Sequence, residues 1–370
     1  MNGEVHSKIM TKRLELGIEK CFQMHFGKKS STCHSLMVDS SAWMEKTNKQ
    51  KYLGSIVASS AKADENIRAR CVKSITIKNE ILSILNEIKL GQHHFELAFM
   101  MHSSMFINGI LFSLEALVNI TEKHVDQLMA CEKDMLCQIF KCQRSVPLEA
   151  LYIESNVTPI KFILMGRRVM FFWTILNKSK SELVRQTVDA MIEFPDDGGW
   201  MALVRKDLHF LDIQYSDEYL AMLSKKEIST LVRRSVEKRK HEFLLKLQAN
   251  HSKSSKLEIS GQISEYLISK KLSNEMKIFL FKLKCRMTSN KVNFCGMYSD
   301  MTCRFCQIDG NEEFLEHFTG CIYLIERFPE ITTIHCDDIY SDLDSQINAT
   351  RIWWKVFKLL DERSNYQEHS

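Results

Sequence analysis

The sequence predicts a mainly α chain with a small α/β segment near its start and a compact cysteine/histidine module late in the chain. Three observations carry this reading. Only 4 prolines and 13 glycines interrupt 370 residues, and so few breakers favour helix over a turn-rich sheet fold. From Asp64 onward, apolar residues recur at helical spacing. Between Cys303 and Cys321, four thiol and imidazole donors crowd into one short stretch.

Composition narrows the class. Hydrophobic residues make up 45% and charged residues 26%, the balance of a soluble globular chain. The net charge of +4 is too small to demand a nucleic-acid partner by itself. Twelve cysteines show no regular disulfide framework, which points to a reducing, intracellular setting, nuclear or cytoplasmic. Residues 1–14 lack the apolar core of a signal peptide. The most apolar stretch, Leu97 to Val118, is broken by His102, Asn108 and Glu115. It reads as a buried helix, so no membrane is expected as a partner.

The first sixty residues read as sheet. Cys21 to Phe26, Ser35 to Val38 and Lys51 to Val57 are three short strand candidates, with a bend at Gly54. Helices follow. Asp64 to Leu90 ends at Gly91, and His94 to Leu117 is next. Thr121 caps a third helix running to about Cys142, with Ile120 and Val125 spaced as a hydrophobic staple. Thr158-Pro159 starts a fourth, since proline is tolerated in the first turn. Ser181 begins a short helix that ends near Phe194, and Pro195 to Gly199 is the clearest interior break. Beyond it come short helices from Asp207 to Leu223, with Ser216 as a cap. A long amphipathic helix spans Ser224 to Leu247, and two more helices span Ile259 to Leu267 and Ser273 to Arg286. The expected divisions are 11–60, 61–195, 196–290 and 291–370.

The sharpest signal is Cys303, Cys306, His317 and Cys321, spaced C-x2-C, ten residues, H-x3-C. Three thiolates and an imidazole suit a tetrahedral zinc ion, and four protein ligands leave no open position, so the role is structural. Asp309-Gly310-Asn311 turns the chain back, and Phe305, Phe314 and Phe318 supply an apolar wall. Cys295, His335 and Cys336 are spare donors. The competing reading is four reduced residues that merely lie close in sequence.

The long amphipathic helix carries Arg233, Arg234, Lys238, Arg239 and Lys240, and Arg304 sits inside the knuckle. These cations either contact phosphates or form a solvated face diluted by Glu227, Glu237 and Glu242. Phe305 either packs in a core or stacks on a base. Arg68, Arg70, Lys73 and Lys78, and the Arg167-Arg168 pair, are secondary basic groups. Trp353-Trp354 reads as the docking face of a terminal helix.

No catalytic set is visible. Polymerisation with two metal ions needs paired carboxylates; no strand-like apolar run carries a close Asp-Asp pair, and Asp196-Asp197 and Asp337-Asp338 lie in turn-like or polar segments. No phosphate-cradling glycine loop occurs.

These segments, taken in order, resemble the C-terminal portion of non-LTR (LINE-like) retrotransposon polyproteins. There a reverse transcriptase palm is followed by a helical thumb and a cysteine/histidine module. Leu16 to Phe26 resembles the palm just after the catalytic aspartates. Tyr52, Leu53 and Gly54, after Lys51, resemble the primer grip. Asp64 to Leu90, Pro147 to Tyr152, and Thr158 to Ile160 with Arg167-Arg168 resemble the thumb. Cys303, Cys306, His317 and Cys321 match the terminal motif. The resemblance covers roughly residues 11–325. It implies a thumb-like bundle, a palm remnant at 11–60, structural zinc, and an RNA or DNA template/primer partner. The fingers and the aspartate-bearing strand would precede residue 11, so the chain is not expected to polymerise DNA unaided. The polymerase portion that would carry them is a further expected partner. The alternative is a zinc-stabilised helical interaction scaffold with no nucleic-acid role.

Overall fold

The computed structural model describes residues 22–24, 45–52, 55–60, 62–88, 93–194, 199–213, 216–251, 254–289, 293, 300–308 and 310–367. The expected strand at Ser35 to Val38, the primer-grip-like Leu53 and Gly54, and residues 11–21 lie outside them. So do Gly91, the break at 195–198 with Asp196-Asp197, the spare donor Cys295, and Asp309.

The protein is mainly helical, with few strands. Phe22–Gln23 pairs in parallel with Glu45–Lys46. Lys49–Tyr52 pairs antiparallel with Ser55–Ala58, Tyr52 facing Ser55. The single strand expected from Lys51 to Val57 is therefore the two arms of a hairpin.

Helix starts follow local chemistry. Asp64 and Glu65 stand in the first turn of Asp64–Glu87, where negative charge complements the helix dipole. The Thr121 N–H donates to His124 Nδ1 at 3.2 Å and closes the first turn of Glu122–Ile139. Ser216 and Ser273 each accept an amide hydrogen bond at the starts of Asp217–Met222 and Asn274–Lys284. Ser224 and Glu227 exchange side-chain and backbone bonds at the start of Lys225–Gln248. Such reciprocal capping satisfies two otherwise orphaned donors. Pro159 precedes Ile160–Leu176, as expected. The helix expected over Ile259 to Leu267 is reduced to Glu265–Ile268. Gly261 adopts a left-handed φ of 72°, which ends any continuous helix there.

The chain forms two compact units, each assembled from separated stretches. The first comprises residues 1–73, 109–128 and 164–232. Its core includes Ile67, Leu111, Leu114, Val169, Phe172, Trp200 and Val204. The Trp200 indole donates to the Glu115 carbonyl at 2.8 Å and stands edge-on to Phe171 at 5.8 Å. Arg168 and Asp207, both buried, pair within this core.

The second unit comprises residues 74–108, 129–163 and 233–370. Phe140 stacks on Phe281 at 4.1 Å and tilts against Phe95 and Phe99. Leu343–Gln367 is the terminal helix, and its Trp353 is fully buried. The Trp353 ring lies 6.3 Å from Phe318, and Phe279 meets Trp354 at 5.1 Å. Each such aromatic contributes roughly 1.5–3 kcal/mol of burial, so the docking reading of Trp353-Trp354 stands. Residues 61–195 contribute to both units, and 291–370 belong wholly to the second.

The stretch His94–Ala116 is long and apolar enough to cross a membrane by length and composition alone, yet half of its most apolar window is buried in the protein. Phe95, Ala98, Phe99, Phe106 and Ile110 are core residues. The stretch contains a π-helical segment, His102–Ile107.

Candidate metal centre and cationic surface

Cys303 and Cys306 sit on a tight knuckle. The Cys303 amide donates to the Asn311 carbonyl at 2.8 Å, and the Gln307 amide donates to the Cys303 carbonyl at 2.9 Å. Thr302 and Glu312 pair as a β-bridge, so the chain returns beside itself. Gln307 and Gly310 both adopt positive φ, 51° and 85°. Only φ demands glycine at 310, since a Cβ there would meet open space.

The other two donors come from the following segment. Leu315–Gly320 is a short helix carrying His317. Cys321 lies just past its end and begins Ile322–Arg327. The two donors thus stand at a junction of two helices, with His317 on one side and Cys321 at the corner.

The four donor atoms all lie within 4.8 Å of one another. Cys306 Sγ and His317 Nε2 are 3.5 Å apart. A tetrahedral ion with bonds of ~2.3 Å to sulfur and ~2.0 Å to nitrogen sets donors roughly 3.5–3.8 Å apart. The His317 contact already has that length, and no separation needs to close by more than about 1 Å.

The surroundings are built for thiolates. Amides of Phe305 and Cys306 point at the Cys303 sulfur, and the Leu324 amide points at Cys321. Burial nevertheless pushes the Cys303 thiol up to about 12 and raises Cys321. Burial also raises Cys306, but the Ile308 amide, the Asn311 side chain 3.8 Å away and the Cys303 and Cys321 side chains together offset it, and the net direction is down. Burial lowers His317, favouring the neutral imidazole that ligates. A divalent cation would remove the cost of gathering these groups. This Cys3His cluster can hold a metal ion.

Phe305 and Phe318 are buried against this corner, and Phe314 is half-buried. Phe305 meets Phe318 edge-on at 5.5 Å and stacks on Tyr323 at 6.0 Å. The core reading of Phe305 therefore holds over base stacking. The spare donors His335 and Cys336 fall outside the cluster. His335 instead starts a 3-10 turn, with Asp338 accepting its amide at 2.7 Å, and Asp337 pairs with Lys256. The Asp337-Asp338 pair is thus a capping and ion-pairing element, as its polar setting suggested.

The cationic candidates separate into two groups. Arg233, Arg234 and Lys238 are exposed on Lys225–Gln248. Arg239 is half-buried and bonds Glu242 at 2.7 Å. Lys240 corrects the sequence reading. It is 4% exposed, and its ammonium donates to the Asn156 carbonyl at 2.9 Å and to Asn156 Oδ1 at 2.6 Å. Helical period explains this: Lys240 falls on the stripe of Val232, Val236 and Leu244 rather than on the outer face. Arg304 is a second correction. Its side chain is 12% exposed and engages Glu313 and the Ser289 carbonyl. Tyr52 lies at the hairpin end beside the undescribed Leu53 and Gly54.

Two features escaped sequence reasoning. Glu313, fully buried, accepts the Arg304 amide at 3.0 Å as well as its guanidinium. The only sequence signal is an acid and a base placed so that the knuckle's return brings them together. Glu132, also fully buried, accepts the Tyr152 hydroxyl at 2.6 Å and the Ile160 amide at 2.9 Å, with His102 Nε2 3.5 Å from its other oxygen. Polar residues on apolar helical faces were the signal. Comparison with family models, curated proteins and solved structures finds no match to this chain.

Proposed function

We propose that Cys303, Cys306, His317 and Cys321 hold a structural zinc ion, and that the chain is a non-catalytic, nucleic-acid-binding protein. In this reading it is the thumb and cysteine/histidine portion of a LINE-like reverse transcriptase. It would hold template or primer, RNA or DNA, inside the cell, in nucleus or cytoplasm. In this reading the carboxylates for nucleotide transfer belong to a separate polymerase portion, which would be its natural partner.

The observation that carries nucleic-acid binding is the exposed trio Arg233, Arg234 and Lys238 on one rigid helix. Cations fixed on a helix meet phosphates at low ordering cost and give salt-dependent binding. Reversing all three to glutamate tests it, read by filter binding of structured RNA across a salt titration. Affinity and the salt slope should both fall. Unchanged titration curves would remove this surface from the proposal.

The scaffold reading is favoured by one specific observation. At least three of the six cationic candidates, Arg239, Lys240 and Arg304, have internal partners. Absence of RNA binding by the wild-type, metal-loaded chain would select it.

A further inference from the structure

We propose that a cleft beside Arg233 receives a single unstacked nucleobase, with the attached phosphate on the Arg233 guanidinium. This rests on the nucleic-acid reading above and names a subsite for it.

The cleft has a volume of about 580 Å³, within the ~300–1,000 Å³ typical of small-molecule sites. It lies wholly within the second unit. Phe99, Ile163 and Val236 give it apolar walls, the surface a flat base requires. Arg233 stands exposed at its edge, and a guanidinium matches phosphate oxygens in paired fashion.

The polar lining selects among anions. Glu96 and Glu237 carry carboxylates, and Ser103 and Thr158 carry hydroxyls. The Ser103 and Thr158 hydroxyls donate to the Phe99 carbonyl at 3.0 Å and to Glu237 at 3.4 Å. Their oxygens are left to accept. An acceptor-rich lining suits the amino and imino N–H groups of a base edge and opposes a free phosphate deep in the cleft.

His102 is the independent observation. It lines the cleft and is 1% exposed, its Nε2 lies 3.5 Å from Glu132 Oε1, and its Nδ1 has no hydrogen-bond partner among the described residues. Buried polar atoms ordinarily have partners. Its ring is fixed by stacking on Phe106 at 5.6 Å. Behind it stands Glu132, itself held by Tyr152 and Ile160. His102 also opens the π-helical segment His102–Ile107, a distortion that recurs at functional sites. A base edge in the cleft would offer Nδ1 a partner after a small turn of the ring, since neither nitrogen is open to solvent as it stands. Bases in a duplex are paired and stacked, so the subsite favours single strands.

The experiment uses the full metal-loaded chain. Calorimetry compares nucleoside 5′-monophosphates with inorganic phosphate, and filter binding compares single-stranded with blunt duplex RNA. Ser103→Trp fills the cleft from its exposed side without changing charge, and circular dichroism checks its fold. The expected results are nucleotide binding that exceeds phosphate binding, and a loss of about ten-fold or more in single-strand affinity for S103W, the scale of one stacked base. Duplex affinity should be unaffected. Equal binding of phosphate and nucleotide, or a folded S103W that binds single strands as well as the wild type, overturns the subsite. If S103W is unfolded, the nucleotide-against-phosphate comparison decides alone. Loss of RNA binding on reversing Arg233, Arg234 and Lys238, with S103W silent, removes the subsite and leaves the broader reading intact. No RNA binding by the wild type removes both.

Discussion

The Arg304 guanidinium grips the buried carboxylate of Glu313, Nε at 2.8 Å from Oε2 and Nη2 at 2.5 Å from Oε1. The same carboxylate takes the Arg304 amide, so one acid fixes both the backbone and the side chain between Cys303 and Cys306. This is a brace for the metal corner. Arg304→Ala should cost about 3 kcal/mol, because it strips the guanidinium from a carboxylate held in the interior. RNA affinity of the folded, metal-loaded variant should be unchanged. Chemical denaturation and filter binding check the two halves; a stable variant with weakened RNA binding would return Arg304 to the interface.

Removing the metal should loosen the second unit. Chelation, or Cys321→Ser, is expected to cost at least ~3 kcal/mol, a fall in melting temperature of roughly 6–12 °C. Cobalt(II) added to the reduced apo chain should give the visible absorption of a tetrahedral, sulfur-rich site. Octahedral cobalt spectra, or a melting temperature indifferent to chelator, would count against the four-ligand site.

Lys240 and Arg233 share a helix but should respond differently. Lys240→Met removes two bonds to Asn156 and should destabilise by about 1–3 kcal/mol. RNA binding should survive in the folded variant. Urea unfolding and filter binding, run side by side, measure the contrast.

Asp207 sets a pH dependence in the first unit. Burial pushes its carboxyl up to about 6, against the pull of Arg168 beside it. A carboxyl with a raised folded pKa binds its proton more tightly folded than unfolded. Its contribution to stability therefore falls as pH rises from about 4 to about 6 and is flat above. The size is about 2–3 kcal/mol. Denaturation of Asp207→Asn at several pH values should lack this slope; an identical slope in both proteins would place the titration elsewhere.

Much of the helical architecture was legible because capping chemistry is local. Ser216, Ser273 and Pro159 mark their helices within a residue, and the C-x2-C and H-x3-C spacings locate the metal donors. Non-local geometry was not legible. In the Lys51 to Val57 run only the bend signalled by Gly54 hints at two strands, since β-propensity is satisfied by one strand or by two. The left-handed Gly261 overrode a helical pattern around it. Lys240 read as cationic surface because charge alone does not report which way a helix faces. Glu313 and Glu132 act through partners that only the fold brings near, and the sequence signals for them do not say which residue the partner is.

Phe318 follows His317 directly, and its ring also supports Trp353 and Phe357 of the last helix. During synthesis the four donors leave the ribosome before that helix does. An ion captured early would present a finished seat for the arriving aromatics. A late or missing ion would leave the helix without one, exposing an oily surface that quality-control machinery recognises. Cellular metal supply would then be read out as the amount of this protein that survives, rather than as a change in how well each copy works.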